Sequence, residues 1–125
     1  MPKASLDILV GGCNGTPGFK INDFTLIPNE LSEGEHTIDF TYEYGESIKF
    51  TMFGKSKYDV ELVNGKIVKD KYIAIKKLSL EFLEIESWQF HTYFWQPYFG
   101  FNNQSKYINI PLRKDIPMWF LEISG

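Results

Sequence analysis

Residues 36–53 read HTIDFTYEYGESIKFTMF, and apolar and polar side chains alternate along most of this stretch. The apolar positions before the glycine are Ile38, Phe40, Tyr42 and Tyr44, and those after it are Ile48, Phe50 and Met52. Because successive side chains of a strand point to opposite faces, this period of two predicts two half-buried strands. We expect them to form an antiparallel pair that turns at residues 44–47.

The same pattern continues on both sides of this pair. Further strands are predicted at Leu6–Val10 (an edge strand), Phe19–Ile27, Tyr58–Val63, Lys66–Val68, Ser87–Trp95, Lys106–Leu112 and Ile116–Ile123. Asn64-Gly65 separates two of these strands and is a strong signal for a tight β-hairpin turn. The glycine-rich stretch GGCNGTPG, residues 11–18, is expected to be a loop between the first two strands.

The apolar stretch Tyr72–Glu86 changes parity along its length. Such a change predicts a β-bulge or a strand break near Lys76-Lys77 and another near Leu83. A helix over Lys77–Glu86 is the alternative interpretation.

These segments amount to about eight or nine short strands, with turn signals every 8 to 12 residues. The pattern is typical of an all-β protein, and we predict an antiparallel β-sandwich or jelly roll. The 125 residues are expected to form a single domain, residues 1–125.

Composition excludes several classes of protein. Hydrophobic content of 43% argues against disorder, and a net charge of −3 has the wrong sign for binding nucleic acid. The single cysteine, Cys13, cannot form an internal disulfide. The apolar run Leu6–Val10 is too short for a signal-peptide core or a membrane span. We therefore expect a complete small protein made in a cytoplasm, with neither nucleic acid nor membrane as partner.

Sequence motifs give no support for catalysis or for a cofactor. The chain has no HExxH, CxxC, GxSxG or dinucleotide-binding fingerprint. Cys13 has no marked base, because His36 and His91 lie far away in sequence. We predict a protein that is not an enzyme and that holds no cofactor.

Two groups of acidic residues offer alternatives to that prediction. Glu84 and Glu86 would share one face of a strand, where they either face solvent or act as the paired carboxylates of a glycoside hydrolase. Asp59, Asn64 and Asp70 flank the predicted hairpin and supply oxygen ligands suited to calcium, but their spacing matches no EF-hand loop. We predict solvent-facing glutamates and no metal site.

The densest aromatic segment is residues 88–101, WQFHTYFWQPYFGF, in which eight of fourteen residues are aromatic. In one interpretation the rings fill the core, with Trp88 and Phe90 pointing inward. In the other, exposed rings bind a partner, because aromatic anchors dominate many interfaces. The predicted binding residues are Tyr93, Trp95, Tyr98 and Phe99, with Asn102, Asn103 and Gln104 as hydrogen-bond partners if the ligand is a sugar.

Several short stretches resemble small β-sandwich proteins of tailed bacteriophages, especially virion surface components. They are residues 51–55 (TMFGK) followed by Asp59, residues 64–67 (NGKI), 70–73 (DKYI), 98–102 (YFGFN) and 117–121 (PMWFL). The same sandwich pattern is similar to carbohydrate-binding modules, including calcium-dependent ones, although this chain shows no clear cluster of calcium ligands.

The resemblance implies a non-enzymatic structural or interaction protein of a virion, such as a capsid decoration or tail-associated domain. Its partners would be further copies of itself, as a homo-oligomer, or other virion proteins. A glycan-binding module that uses exposed Trp and Tyr rings is the alternative function, and a glycoside hydrolase is the third.

Overall fold

The computed structural model describes residues 2–43, 45–81, 83–92, 96–100, 104–109 and 122–124. In chain order its elements are β1 (Lys3–Gly11), β2 (Gly18–Ile21), β3 (Phe24–Leu26), β4 (Gly34–Thr41), β5 (Ser47–Phe53), β6 (Val60–Val63), β7 (Lys66–Asp70), β8 (Tyr72–Leu80), β9 (Leu83–Glu86), α1 (Ser87–Thr92), β10 (Tyr98–Phe99), β11 (Gln104–Asn109) and β12 (Glu122–Ser124). The protein is therefore all-β, as predicted.

The strands form two large antiparallel sheets and one small one. The first sheet has the order β10-β8-β1-β4, with β9 also paired to β8. The second has the order β12-β11-β5-β2-β3. β6 and β7 pair only with each other within the described residues and form a separate hairpin.

The two large sheets enclose one core. The ring of Phe19 in β2 packs edge-on against Phe99 in β10, with 5.7 Å between ring centroids. Phe40 in β4 packs in the same way against Phe50 in β5, at 6.5 Å. Because each pair joins one sheet to the other, the architecture is a sandwich. The jelly-roll connectivity stays a prediction.

β1 is not an edge strand, contrary to prediction. It lies between β4 and β8 and pairs with both along most of its length. Its buried side chains include Leu6, Ile8 and Val10, which alternate as expected. The alternation identifies the buried face of a strand, but it does not identify the neighbours that complete its hydrogen bonds.

β4 and β5 do not pair, so the predicted hairpin at residues 44–47 is wrong. β4 pairs with β1 in one sheet, and β5 pairs with β2 and β11 in the other. The chain crosses between the sheets beyond Thr41, where Tyr42 is buried and its hydroxyl accepts a hydrogen bond from the backbone N–H of Glu81 at 3.0 Å. A link between sheets and a hairpin turn satisfy the same alternation.

Two long predicted strands are divided in the structure. Phe19–Ile27 becomes β2 and β3, joined by a turn in which Asn22 has a positive φ of 52°. In Tyr72–Glu86, the pairing jumps from Asp7 opposite Lys77 to Ile8 opposite Ile75, which leaves Lys76 as the extra residue of a bulge.

The predicted bulge near Lys76-Lys77 is therefore confirmed. The predicted break near Leu83 is also confirmed, because β8 ends at Leu80 and β9 begins at Leu83. The alternative of a helix over Lys77–Glu86 is wrong. Near the C-terminus, the predicted strand Lys106–Leu112 overlaps β11 at residues 106–109, and the predicted strand Ile116–Ile123 overlaps β12 at residues 122–123. Residues 110–121 lie outside the described ranges.

The predicted strand Ser87–Trp95 is wrong where the structure describes it, because α1 occupies Ser87–Thr92. The Gln89 side-chain oxygen accepts a hydrogen bond from the backbone N–H of Glu86 at 2.7 Å, which is half of a capping box at the start of the helix. Phe90 is buried as expected, but Trp88 is 65% exposed rather than inward-facing. Among the described residues, no helix is long and apolar enough to cross a membrane.

Candidate functional site

The hairpin of β6 and β7, residues 60–70, is here called the arm. Its turn residues Asn64 and Gly65 have φ angles of 54° and 78°. Positive φ at both central positions is what a type I′ turn requires, and Asn-Gly is its preferred sequence. The hairpin predicted from Asn64-Gly65 is confirmed, and β7 extends to Asp70.

The arm exposes its apolar side chains instead of burying them. Every residue from 61 to 69 is exposed. Leu62 and Ile67 lie opposite each other and are 60% and 62% exposed, and Val63 and Val68 are also exposed. A two-stranded hairpin is at best marginally stable in water, so the arm depends on its attachment to the sandwich.

Two ion pairs hold the base of the arm and are here called the clamp. Lys55 Nζ lies 2.5 Å from Asp70 Oδ1, and Lys71 Nζ lies 3.1 Å from Asp59 Oδ2. Lys55 also donates to the backbone carbonyl of Gly100. The four charged side chains are almost fully removed from solvent. Since Asp59 precedes β6 and Lys71 follows β7, the clamp fixes both ends of the arm.

The Asp59 carboxylate has three partners at the base of the arm. It accepts from the backbone N–H of Ser56 at 2.7 Å and from Asn14 Nδ2 at 3.3 Å, in addition to its pairing with Lys71. The Ser56 hydrogen bond is the main reason that the pKa of Asp59 lies below its usual value, and Lys71 and Asn14 act in the same direction against the opposing effect of burial. Asp59 is therefore a charged anchor at neutral pH.

A groove of about 510 Å³ separates the arm from the sandwich. Its lining residues are Lys55, Ser56, Lys57, Val60, Ile67, Asp70, Tyr98 and Gly100. Val60 and Ile67 come from the arm, and the aromatic ring of Tyr98 comes from β10. The groove thus has one aliphatic wall and one aromatic wall, with charged groups at its base.

Tyr98 is fixed in place by two neighbours. Its ring stacks on Tyr72 with 5.2 Å between centroids, and its hydroxyl donates to Asp70 Oδ2 at 3.0 Å. Desolvation raises the pKa of Tyr98, and the hydrogen bond to the Asp70 carboxylate raises it further. Tyr98 is 39% exposed, so a preorganised ring remains accessible in the groove.

The structure separates the predicted binding residues. Tyr98 lies in the groove, whereas Phe99 is fully buried in the core and presents no surface to a partner. Alternation along β10 explains the difference, because adjacent side chains point to opposite faces. Tyr93, Trp95, Asn102 and Asn103 lie outside the described residues, and Gln104 is half-buried in β11.

Aromatic content does not identify the arm or its lysine clamp as a candidate site, although the sequence predicts the hairpin itself. The available signal was the sequence LVNGKIV, residues 62–68, in which apolar side chains follow one another and therefore occupy both faces of a hairpin. A strand pair that packs on one side only would place polar residues at alternate positions.

The acidic candidates do not converge. Glu84 and Glu86 are exposed on β9, as predicted, and their position gives no support for a shared catalytic cleft. Asp59 and Asp70 belong to the clamp, whereas Asn64 lies at the far end of the arm. Within the part of the chain that the structure describes, no three or more His, Cys, Asp or Glu side chains are grouped to hold a metal ion.

Within the described residues, no hydrogen bond joins Cys13 to His36. Cys13 is buried in the loop after β1, and its backbone N–H donates to the carbonyl of Gly15 at 2.9 Å. His36 lies in β4, where its Nε2 is 2.7 Å from the carbonyl oxygen of Ser32. His91 belongs to α1, and its side chain lies outside the described residues.

Comparisons of this chain with protein-family models, with curated proteins and with solved structures gave no match. The arm, the clamp and the groove are the features of the molecule that bear on its function.

Proposed function

We propose that this chain is a non-enzymatic interaction protein, a β-sandwich that presents its arm and the adjoining groove to a protein partner. The observation that carries the proposal is the exposure of the aliphatic side chains on the arm, represented by Leu62 and Ile67 at 60% and 62%. Contiguous exposed apolar surface of this kind is typical of binding sites.

The energetics of the clamp support the same function. Burying an ion pair gains little net stability, because desolvation offsets most of the Coulomb attraction. Two such pairs nevertheless fix the arm at both ends. The clamp therefore holds an extended apolar surface in one orientation, and a preorganised surface loses less entropy when it binds.

The exposed area suits a protein partner. Four aliphatic side chains that are each about half exposed provide on the order of 400 Å² of apolar surface, which is divided between the two faces of the arm. A specific interface covers about 800 Å² on each partner, so the groove beside the arm is expected to contribute the rest. Tyr98 is the aromatic anchor in that groove.

The sequence resemblance supports placing this interaction in the virion of a tailed phage, as a capsid decoration or tail-associated component. In that setting the partner is another copy of the chain or another virion protein. Tyr93 and Trp95 remain predicted additional contacts.

The first test asks whether the exposed side chains of the arm contribute to folding stability. Leu62→Ser combined with Ile67→Ser should leave the thermal unfolding midpoint within about 2 °C of the unaltered protein, because exposed side chains contribute little to folding. A fall as large as that of a core variant would show that the arm is structural and would contradict the proposal.

The second test is a tryptophan-fluorescence titration against a panel of glycans, with and without calcium. The proposal predicts a flat response across the panel. Carbohydrate binding is the second candidate function, favoured by the accessible Tyr98 ring stacked on Tyr72 in the groove. A saturable response that Tyr98→Ala abolishes would establish glycan binding in place of the proposed function.

A further inference from the structure

The two outer edges of the arm differ in their protection against strand pairing. β7 carries Lys66 and Lys69, and the register jump from Glu61–Lys69 to Leu62–Ile67 leaves Val68 as a bulged residue. Lysines and bulges on an edge strand both discourage a further strand from pairing with it. The β7 edge is therefore blocked.

The β6 edge has no such protection. Its sequence, Val60–Val63, contains no bulged residue, and Glu61 is its single charge. In the described residues β6 pairs with β7 alone, and residues 61–63 of β6 are exposed. An exposed, mostly apolar edge without a bulge is a template for strand addition.

We propose that β6 pairs in antiparallel fashion with β6 of a second copy of this chain, an inference that rests on the proposed function. The two arms then form a four-stranded sheet with the order β7-β6-β6-β7. A two-fold axis through this sheet makes the interface isologous, which is the commonest form of homodimer contact.

Charge selects the register of this pairing. In an antiparallel pair, residues that lie directly opposite each other point to the same face of the sheet. A two-fold axis perpendicular to the sheet therefore passes beside a residue that faces its own copy, and the two central residues of β6 are Glu61 and Leu62. An axis at Glu61 would oppose two carboxylates, which is destabilising. An axis at Leu62 places Leu62 opposite its own copy and Glu61 opposite Val63, so the second register is favoured.

The two faces of the resulting sheet differ in polarity, and exposed Val63 lies on the more charged face. Val60, Leu62 and Ile67 share a face within each copy, whereas the pair Glu61–Lys69 lies on the other. The formal net charge of −3 per copy is small, so repulsion between copies opposes the contact only weakly. A ladder of four residues buries less than the roughly 800 Å² per partner of a standard interface, and the dimer is therefore concentration-dependent.

Disulfide trapping tests the register directly. In Leu62→Cys the two introduced cysteines would lie opposite each other, with about 4.5–5.5 Å between Cα atoms, which is within disulfide range. Ile67→Cys is the matched control, because Ile67 is equally exposed but the two copies would stand about 14 Å apart, three strand spacings across the sheet. The unaltered protein, whose Cys13 is buried, gives the background.

Mild oxidation with diamide should cross-link Leu62→Cys roughly tenfold faster than Ile67→Cys, whose cysteines lie beyond disulfide reach. A mixture of Glu61→Cys and Val63→Cys should form mixed dimers faster than either variant alone forms homodimers. Matching thermal unfolding midpoints for all variants show that they are folded.

Equal rates for Leu62→Cys and Ile67→Cys would overturn the proposed dimer, as would a mixed pair that cross-links no faster than its components. A failed cross-linking test leaves the protein-interaction function intact if the serine double variant keeps its stability and the glycan titration is flat. The partner of the arm would then be a different protein. Failure of the dimer and failure of the function are thereby distinguished.

Discussion

The sandwich and the arm are both antiparallel sheets, yet their apolar side chains are placed in opposite ways. Phe50, in the middle of β5, is fully buried between the two large sheets. Leu62, in the middle of β6, is 60% exposed. The difference shows that strand formation needs only pairing, whereas burial needs a second layer of structure.

The two regions are also held by different forces. The sandwich is stabilised by removing large apolar side chains such as Phe19 and Phe50, whose rings stack 6.2 Å apart, from water. The arm is attached by the charged clamp. Substitutions in the two regions should therefore change the free energy of unfolding by different amounts and with different pH dependence. Their effects should also extend over different parts of the molecule.

The largest effect is expected from Phe50→Ala. This variant should lose about 4 kcal/mol of unfolding free energy, because it leaves a cavity among well-packed rings. Urea denaturation measures the loss, and Leu62→Ala is the matched control, expected to change stability by less than about 0.5 kcal/mol. Similar losses in both variants would remove the distinction between the sandwich and the arm.

A smaller but substantial effect is expected from Lys71→Met. Removing the cation leaves the buried Asp59 carboxylate without its ionic partner, and breaking such a pair costs about 3 kcal/mol. Urea denaturation together with hydrogen exchange of the β6 and β7 amides would detect loss of stability and release of the arm.

Lys77→Met is the control for the clamp variant. Its ion pair with Asp7 spans 4.0 Å and is about one-third exposed, so its removal should cost less than about 1 kcal/mol. If the two lysine variants are equally stable, the clamp does not hold the arm.

The pH dependence of stability should identify Asp59. Because its pKa in the folded state lies below the ordinary aspartate value of 3.8, its charged form stabilises the fold above pH 3.8, and this contribution is lost as the pH falls through the folded-state pKa. Asp59→Asn should therefore give a flatter stability profile at acidic pH than the unaltered protein. Parallel profiles would show that Asp59 does not couple folding to pH.

A small and local effect is expected from Gly65→Ala in the turn of the arm. Gly65 has a φ of 78° and nothing within 4 Å of an added Cβ, so the cost is backbone strain alone, about 1 kcal/mol. Exchange of the β6 and β7 amides should accelerate while the midpoint of the sandwich stays constant.

Gly65→Asn is the control for that strain, because asparagine tolerates positive φ and should give an intermediate exchange rate. A fall in the unfolding midpoint with Gly65→Ala would mean that the arm and the sandwich unfold together.

Much of the local structure could be predicted from the sequence. The alternation of apolar and polar residues predicted most of the strands, and Asn64-Gly65 predicted the hairpin. The change of parity in Tyr72–Glu86 predicted the bulge at Lys76. The helix at Ser87–Thr92 was missed, because six residues are too few to show a helical period.

The candidate site was less predictable. Of the proposed aromatic anchors, Tyr98 lies in the groove and Phe99 in the core. The clamp lysines, Lys55 and Lys71, resemble ordinary surface residues in the sequence. Lys106 does too, yet burial beside the Phe99 ring lowers the pKa of Lys106 to about 8.

The sequence by itself determined most of the extended segments, the turn at Asn64-Gly65 and the apolar face of a strand such as β1, because these properties depend on neighbouring residues and on backbone stereochemistry. Only the tertiary structure decided that β1 lies inside a sheet, that β4 and β5 belong to opposite sheets, and that the arm remains uncovered. Strand partners are distant in sequence, and alternation is satisfied by more than one set of them. Which apolar face is buried is therefore a property of the whole fold.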